Sequence, residues 1–359
     1  MTAIAAFVTA HGFGHAARAC AVLDAIGRRL PDLRVELFTE APRWFFSSSL
    51  RVGFRWHDVR CDVGLVQRSA FDVDLEATVD AVDRLLPLDE TLVTECAEVV
   101  RRSGCRVVVA DISPLGIAVG RRAGVPAVLV ENFTWDWIYR RLRHPPPRLL
   151  EHAVRLEAMY SQADLRLRAV PACGDAPGRE VPLVWRPPRT SRASVRRRLG
   201  IGEERSMVLV SMGGLGGGLD GLCDVERGPS ITFVVPGTDG DHRGSDGVIP
   251  LARRSDVYHP DLVAAADVVV GKLGYSTVAE VVGAGTPMAY VPRDGFPESP
   301  VLEEFVRRSV ATDRLDRGRF ESGRWLDTVE RLCRQGRGRP PAENGSAIIA
   351  DAIASLIRR

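Results

Sequence analysis

The sequence predicts an α/β protein made of two Rossmann-like halves. Three observations carry this. Short apolar runs alternate with helical segments along most of the chain. Each half opens with a strand that runs into a glycine-rich turn, HGFGH at 11–15 and GGLGGG at 213–218. A length of 359 residues accommodates two domains of ordinary size. The expected domains are 1–186 and 187–340, with a separate C-terminal helix over 341–359. In open α/β sheets ligands bind beyond the carboxyl ends of the strands, and both glycine turns lie at such ends. A cleft between the halves is therefore the expected ligand site.

The elements follow in order. Residues 4–9 (IAAFVT) form an apolar run before the 11–15 turn, and residues 16–30 have helical spacing. Residues 34–39 (RVELFT) alternate and read as a second strand. Residues 41–75 give no clear pattern. Residues 75–103 read as one long helix, broken or kinked near Pro87. RVVVA at 106–110 reads as a buried strand ending in Asp111, followed by a helix over 114–123 and a strand over 127–130. HPPP at 144–147 punctuates a helical stretch, and 149–163 is helical again. Residues 170–191 carry five prolines and read as a late strand and the interdomain linker, with the break near 186–192.

The second half repeats this grammar. Strands are expected at 207–211, 231–235, 248–251, 267–270 and 288–291. Helices are expected at 260–266, 274–285, 298–309, 322–335 and 343–358.

Composition narrows the function classes. Formal net charge is +2, from 48 basic and 46 acidic residues, which argues against a strongly basic nucleic-acid protein. Lys272 is the only lysine. Seven widely spaced cysteines, without a CxxC, argue against a disulfide framework or a zinc site. No stretch approaches the roughly 20 apolar residues of a membrane span, and the first residues lack a basic leader. The expected compartment is the cytoplasm, and no metal or cofactor is expected.

The richest segment is GKLGYSTVAEVVGAGTP at 271–287. Glycines free the backbone after a buried strand, and a helix begins near Ser276. Its first N–H groups, with Lys272, are suited to a diphosphate. Glu280 lies one turn beyond Ser276 and Thr277, where a carboxylate can accept both hydroxyls of a ribose. The residues leave a second reading open, with Ser276 as an N-cap and Glu280 as a solvated helix charge.

This pattern, strand–GxxGYSTxxExxxxGxP, resembles the donor-nucleotide signature of GT-B glycosyltransferases of the family 28 type, the branch containing the bacterial peptidoglycan N-acetylglucosaminyltransferase. The resemblance implies two Rossmann-like domains facing a central cleft, with the C-terminal helix crossing back to the first. It makes Glu280 the ribose ligand and Gly274, Ser276 and Thr277 diphosphate contacts. It adds Gly213 and Gly214 from SMGGLGGG, and Arg253, in the region that meets the diphosphate or the base. PRDGFPESP at 292–300 occupies the place of the sugar contacts. The usual acidic-Gln pair is absent there, and Glu298 and Glu303 stand in. Gly271 replaces a frequent histidine.

HGFGHAARA at 11–19 resembles the acceptor-side loop of the same fold. The resemblance makes His15 the general base and places His11, Gly12, Phe13 and Gly14 on the acceptor side. Neutral imidazole near pH 7 can take a hydroxyl proton if its other nitrogen is oriented, and Asp111 is the expected partner. The alternatives are a His15 that donates to a backbone carbonyl and an Asp111 that caps the next helix. VENFTWDWIYRRL at 130–142 is similar to the N-terminal GT-B-like module of L-arabinokinase-type proteins. It implies an acceptor platform of Asn132, Trp135, Asp136 and Tyr139, against the alternative of a buried aromatic helix start. No kinase phosphate loop is present, so sugar kinase activity is not implied.

The implied activity is transfer of a sugar from a nucleotide-diphosphate sugar, of UDP type, to an acceptor, with inversion and without a metal. A nucleotide-sugar 2-epimerase and a non-catalytic sugar-nucleotide-binding module are alternatives on the same fold. A nicotinamide or flavin oxidoreductase is a weaker one, from GFGHAA and Glu40. The expected partners are the donor and an acceptor. Arginine-rich patches at 28–29, 140–143 and 196–198 would suit peripheral membrane contact or simply solvated helix faces.

Overall fold

In a computed structural model that describes residues 2–212, 230–238 and 247–358, the chain divides into two units. The first contains the described residues up to Trp185, Gly295–Glu298 and those from Glu343 onward; the second contains Arg186–Asp294 and Ser299–Ala342.

The first unit begins with β1 (Thr2–Val8), α1 (Phe13–Arg29), β2 (Leu33–Phe38), α2 (Arg43–Ser49) and β3 (Gly53–His57). It continues through α3 (Leu75–Leu85), α4 (Glu90–Arg102), β4 (Cys105–Asp111), α5 (Pro114–Ala123), β5 (Ala127–Glu131), α6 (Trp135–Arg141), α7 (Pro147–Tyr160), β6 (Leu165–Ala169) and β7 (Arg179–Val181). The strands form a parallel sheet in the order β3-β2-β1-β4-β5-β6-β7. Local signals set most boundaries. The expected 75–103 helix is two helices: Asp74 caps α3 and Asp89 caps α4, on either side of Pro87. Ser113 caps α5, with proline in its first turn, and Gly124 ends it at φ 74°.

Two pieces of this sheet escaped the periodicity. The unassigned 41–75 segment contains α2 and β3. β6 reads LRLRA, and its arginines disguise an inner strand; Arg166 makes two 2.9 Å hydrogen bonds to the buried Glu131 of β5, which is what lets such a strand sit there.

The second unit runs through α8 (Arg192–Arg198), β8 (Ser206–Ser211), β9 (Ile231–Pro236), β10 (Val248–Leu251), α9 (His259–Ala265), β11 (Val268–Lys272), α10 (Tyr275–Ala284), β12 (Met288–Val291), α11 (Ser299–Ser309), β13 (Thr312–Arg314), α12 (Arg317–Glu321) and α13 (Leu326–Gln335). Its described strands are also parallel, in the order β10-β9-β8-β11-β12-β13. β13 is short and polar, which is why the sequence pattern passed over it.

The last helix, α14 (Gly345–Arg358), belongs to the first unit. Ile349, Ala350 and Ile353 enter the same core as Ala17, Ala21 and Ile26 of α1. A side chain at Gly345 would run into the carbonyl of Pro182, so only glycine admits this approach. Within each sheet the strand order reverses once, between β1 and β4 and between β8 and β11. Crevices at such reversals are where open α/β sheets bind ligands.

Candidate active site

In the first unit α1 begins at Phe13, earlier than the periodicity suggested, because Gly12 takes φ 75° and turns the chain directly into the helix. His15 therefore lies in the first turn of α1, beside the end of β4. Val8 of β1 pairs in register with Asp111 of β4. His15 and Asp111 come from opposite sides of the reversal and meet, Nδ1 to Oδ1, at 2.8 Å.

Arg18, one turn further along α1, completes the group. Its Nε donates to Asp111 Oδ2 at 2.8 Å and its Nη2 to Oδ1 at 2.7 Å. Its Nη1 donates to Asn132 Oδ1. All four side chains are buried. Burial pushes the Asp111 carboxyl up, but the Arg18 charge and the His15 hydrogen bond more than offset it and hold it below the ordinary carboxylate range. An ionised carboxylate only accepts, so Nδ1 of His15 carries the proton and donates, and Nε2 keeps its lone pair. Nε2 has no hydrogen-bond partner among the described residues. Burial also lowers the His15 pKa below its usual value, against the pull of Asp111. The ring is thus neutral near pH 7, as a general base requires.

The backbone after Asp111 is strained. Ile112 has φ 46°, a conformation β-branched residues avoid at a cost of roughly 1–3 kcal/mol. Tyr160 donates to its carbonyl at 2.9 Å, and Ser113 donates to the Cys61 carbonyl at 3.1 Å while capping α5. Packing holds the turn that points Asp111 at His15.

The expected acceptor platform takes a different form. Trp135 is 1% exposed and Tyr139 is fully buried. Trp135 Nε1 donates to Asp62 Oδ2 at 2.7 Å, and Tyr139 donates to the Val63 carbonyl at 2.7 Å. Asn132 spends its amide internally: Oδ1 on Arg18, Nδ2 on the Ala169 carbonyl at 2.6 Å. Asp136 pairs with Arg140 at 3.0 Å. All four side chains are buried, and for the two aromatic rings burial is the more stable state. His11, Gly12, Phe13 and Gly14 retain surface exposure. The His11 ring meets Trp135 edge-on at 4.9 Å and lies 6.5 Å from His15. Asp62 was not singled out from the sequence. Burial pushes its carboxyl up to about 7, against hydrogen bonds from Thr9 and Trp135.

In the second unit Lys272 ends β11, buried. Gly271 lies so near the Ser211 carbonyl of β8 that no side chain fits. The cap of α10 is Gly274, not Ser276, which corrects the N-cap alternative; Ser276 and Thr277 occupy the first turn, whose N–H groups point out of the helix end rather than to a carbonyl within it. Glu280 is not a solvated charge either. It is 3% exposed and held from two sides. Arg186 donates to Oε1 through Nε at 2.8 Å and Nη2 at 2.6 Å. His259 Nδ1 lies 2.8 Å from Oε2, and its Nε2 is 3.1 Å from Ser211 Oγ. Burial raises the Glu280 pKa, Arg186 and His259 outweigh it, and the carboxyl stays below its usual range.

Arg253 is exposed. Glu298 is buried and belongs to the first unit, whereas residues 271–285 belong to the second. Gly213 and Gly214 lie outside the described residues. Arg18, Arg186 and His259 were not anticipated. Arg18 stood within HGFGHAARA, at helical spacing from His15. Arg186 stood in a proline-rich linker with no motif to mark it.

No protein-family model matches this chain. It is 32% identical over 335 residues to L-arabinokinase of Arabidopsis thaliana, covering 90% of this chain and 31% of that one. It is 28% identical over 227 residues to an uncharacterised glycosyltransferase of Methanopyrus kandleri, covering 58% and 62%. It is also 28% identical over 212 residues to a peptidoglycan-precursor N-acetylglucosamine transferase of Corynebacterium glutamicum, covering 52% and 57%. The chain thus spans about a third of the first relative and less than two thirds of the others. Among solved structures it resembles Phytolacca americana UGT2, complexed with UDP-2-fluoro-glucose and pterostilbene, with TM-score 0.61, 11% identity and full coverage of both chains. It resembles Acinetobacter baumannii MurG with TM-score 0.55 and 13% identity, over 99% of this chain and 100% of that one.

Proposed function

We propose that this chain, which has the GT-B fold of glycosyltransferases, moves a sugar from a nucleotide-diphosphate sugar to an acceptor hydroxyl with inversion. The observation that carries this reading is the buried His15–Asp111 pair at the β1/β4 reversal, with Nδ1 occupied and Nε2 left to accept a proton. Nε2 takes the acceptor's proton as its oxygen bonds to the anomeric carbon. The bond from that carbon to the diphosphate oxygen breaks in the same displacement, through an oxocarbenium-like transition state. Asp111 stabilises the imidazolium formed. The departing diphosphate is stabilised by Lys272 and by the first N–H groups of α10, without need of a metal.

Glu280 is the ribose ligand in this reading. Its oxygens carry about four acceptor positions in all; the two bonds from Arg186 and the one from His259 orient the carboxylate and leave about one position for a ribose hydroxyl. UDP is the nucleotide expected, in line with the ligand named for the Phytolacca enzyme. His11, Gly12, Phe13 and Gly14 are the acceptor-side residues. A cytoplasmic setting suits the described cysteines, all free thiols and five of them buried. Among the described residues no helix is long and apolar enough to cross a membrane.

A thermal-shift panel with UDP, dTDP, GDP, ADP, CDP and NAD, on wild type and Glu280→Ala, tests the donor site. A ligand at 100 times its Kd adds about 2.7 kcal/mol. One diphosphate should shift the wild type and not the variant. A response to NAD alone, or to no nucleotide, would remove the reading's support. Conversion of a sugar nucleotide without acceptor would favour an epimerase instead.

A further inference from the structure

We propose that Arg18 is a positioning residue for the His15–Asp111 pair, tying both oxygens of Asp111 to the Asn132 amide and so keeping Nε2 of His15 as the proton-accepting nitrogen. The proposal rests on the transfer reading for the use made of that nitrogen, and on geometry for everything else.

The geometry is a closed set of bonds. Arg18 meets Asp111 with Nε at 2.8 Å and Nη2 at 2.7 Å, while Nη1 donates to Asn132 Oδ1. Asn132 follows β5 and is itself held through Nδ2 to the carbonyl of Ala169, the last residue of β6. The fork therefore has fixed points on α1, β4 and the β5–β6 edge. A planar guanidinium meets these three acceptors at once, and its positive charge lies against both oxygens of Asp111.

Charge explains what the fork does. With Arg18 present, ionised Asp111 and neutral His15 form a buried cluster of zero net charge. Without it, a buried carboxylate would face a neutral imidazole, and the pair would be stabilised by taking up a proton. If the proton went to the ring, Nε2 would carry it. If it went to Asp111, the carboxyl O–H would donate to Nδ1 and the ring's own proton would move to Nε2. Either route removes the lone pair the transfer needs. The other groups facing the ring do not replace Arg18. Phe133, after β5, lies 5.7 Å away and Trp135 of α6 lies 6.0 Å away, both uncharged. Asp62 contacts the indole of Trp135, and His11, before α1, lies 6.5 Å off.

The test is a nitrogen-15 NMR titration of the histidine rings in the full chain, with His15→Gln assigning the His15 signals. Wild type should hold the Nδ1–H tautomer at pH 7.5 and titrate below pH 6.5. Arg18→Gln should raise that midpoint by about one pH unit or more, a tenfold change in proton affinity, or move the proton to Nε2. Arg18→Lys should stay close to wild type, because it restores the charge. A wild-type ring with its proton on Nε2 overturns the proposal. So does Arg18→Gln titrating like wild type, or Arg18→Lys titrating like Arg18→Gln. If Arg18→Gln does not fold, the wild-type tautomer still decides, and Arg18→Lys overturns the proposal by titrating about one pH unit or more above wild type. No donor or acceptor enters the measurement, so a failed transfer assay would count against the proposed function and leave this result standing.

Discussion

Arg186 makes two hydrogen bonds to a single oxygen of Glu280, at 2.8 and 2.6 Å, while the other oxygen faces His259. Arg186 is the first residue of the second unit and Glu280 lies in the middle of its central helix α10. The pair ties the entry of the chain to the helix that follows β11.

Breaking this pair should be costly. Arg186→Met leaves a buried carboxylate with one partner, and removal of one member of such a pair costs about 3–5 kcal/mol. The sign with pH is set by Glu280. Its folded-state pKa lies below the unfolded one, so its stabilisation is present above the unfolded pKa and is lost as pH falls through the folded one. Urea denaturation at pH 7 and pH 3.5 should show a large gap between wild type and Arg186→Met at the higher pH and a smaller one at the lower. Equal gaps would mean that the ion pair is not the agent.

Asp62 should produce the opposite trend. Its folded-state pKa, about 7, lies above that of an unfolded aspartate, so the unfolded chain ionises first and stability declines as pH rises toward 7. Asp62→Asn keeps an acceptor for the Trp135 indole and removes the titration. The variant's stability relative to wild type should rise by on the order of 2 kcal/mol from pH 5 to pH 7.5. A pH-independent difference would show that Asp62 is ionised throughout.

The pH dependence of transfer follows from His15. A base whose pKa is lowered from 6.5 is already deprotonated at neutrality. The rate kcat/KM should therefore climb as pH rises through a midpoint below 6.5 and be flat from pH 7 to 8. His15→Ala should lower kcat by about 10²–10⁴-fold while sparing donor binding in the thermal-shift assay. A variant that loses donor binding as well would point to a structural role for the ring.

The last helix should be an integral part of the first unit. Ile353 is fully buried in its core, and Ile353→Ala should cost about 2–5 kcal/mol by denaturation. Gly345→Ala, which drives a methyl into the Pro182 carbonyl, should also destabilise the protein. A neutral Gly345→Ala would mean that the helix start can shift without loss.

Much of this protein was legible from residue order alone. Apolar runs of the VVVA and MVLV kind, divided by capped helices, specify a parallel α/β chain because strand burial and helix capping are local properties of neighbouring residues. His15 and Glu280 could be named through the resemblance that their glycine-rich motifs carry, and Asp111 by its place at a strand end. The pairing of His15 with Asp111 could be expected too, but the arginines that clamp the two carboxylates could not. Arg18 reaches Asp111 across 93 positions and Arg186 reaches Glu280 across 94, and no periodicity carries such distances. The tertiary structure alone decided that Trp135 is buried with its indole on Asp62, and that the Asn132 amide bonds Arg18 and the Ala169 carbonyl. It also decided that Glu280 and Asp111 are clamped ions rather than free carboxylates. The physical reason is common to all of them: the state of a polar side chain depends on what burial takes away and which distant charge replaces it, and only the folded chain brings the two together.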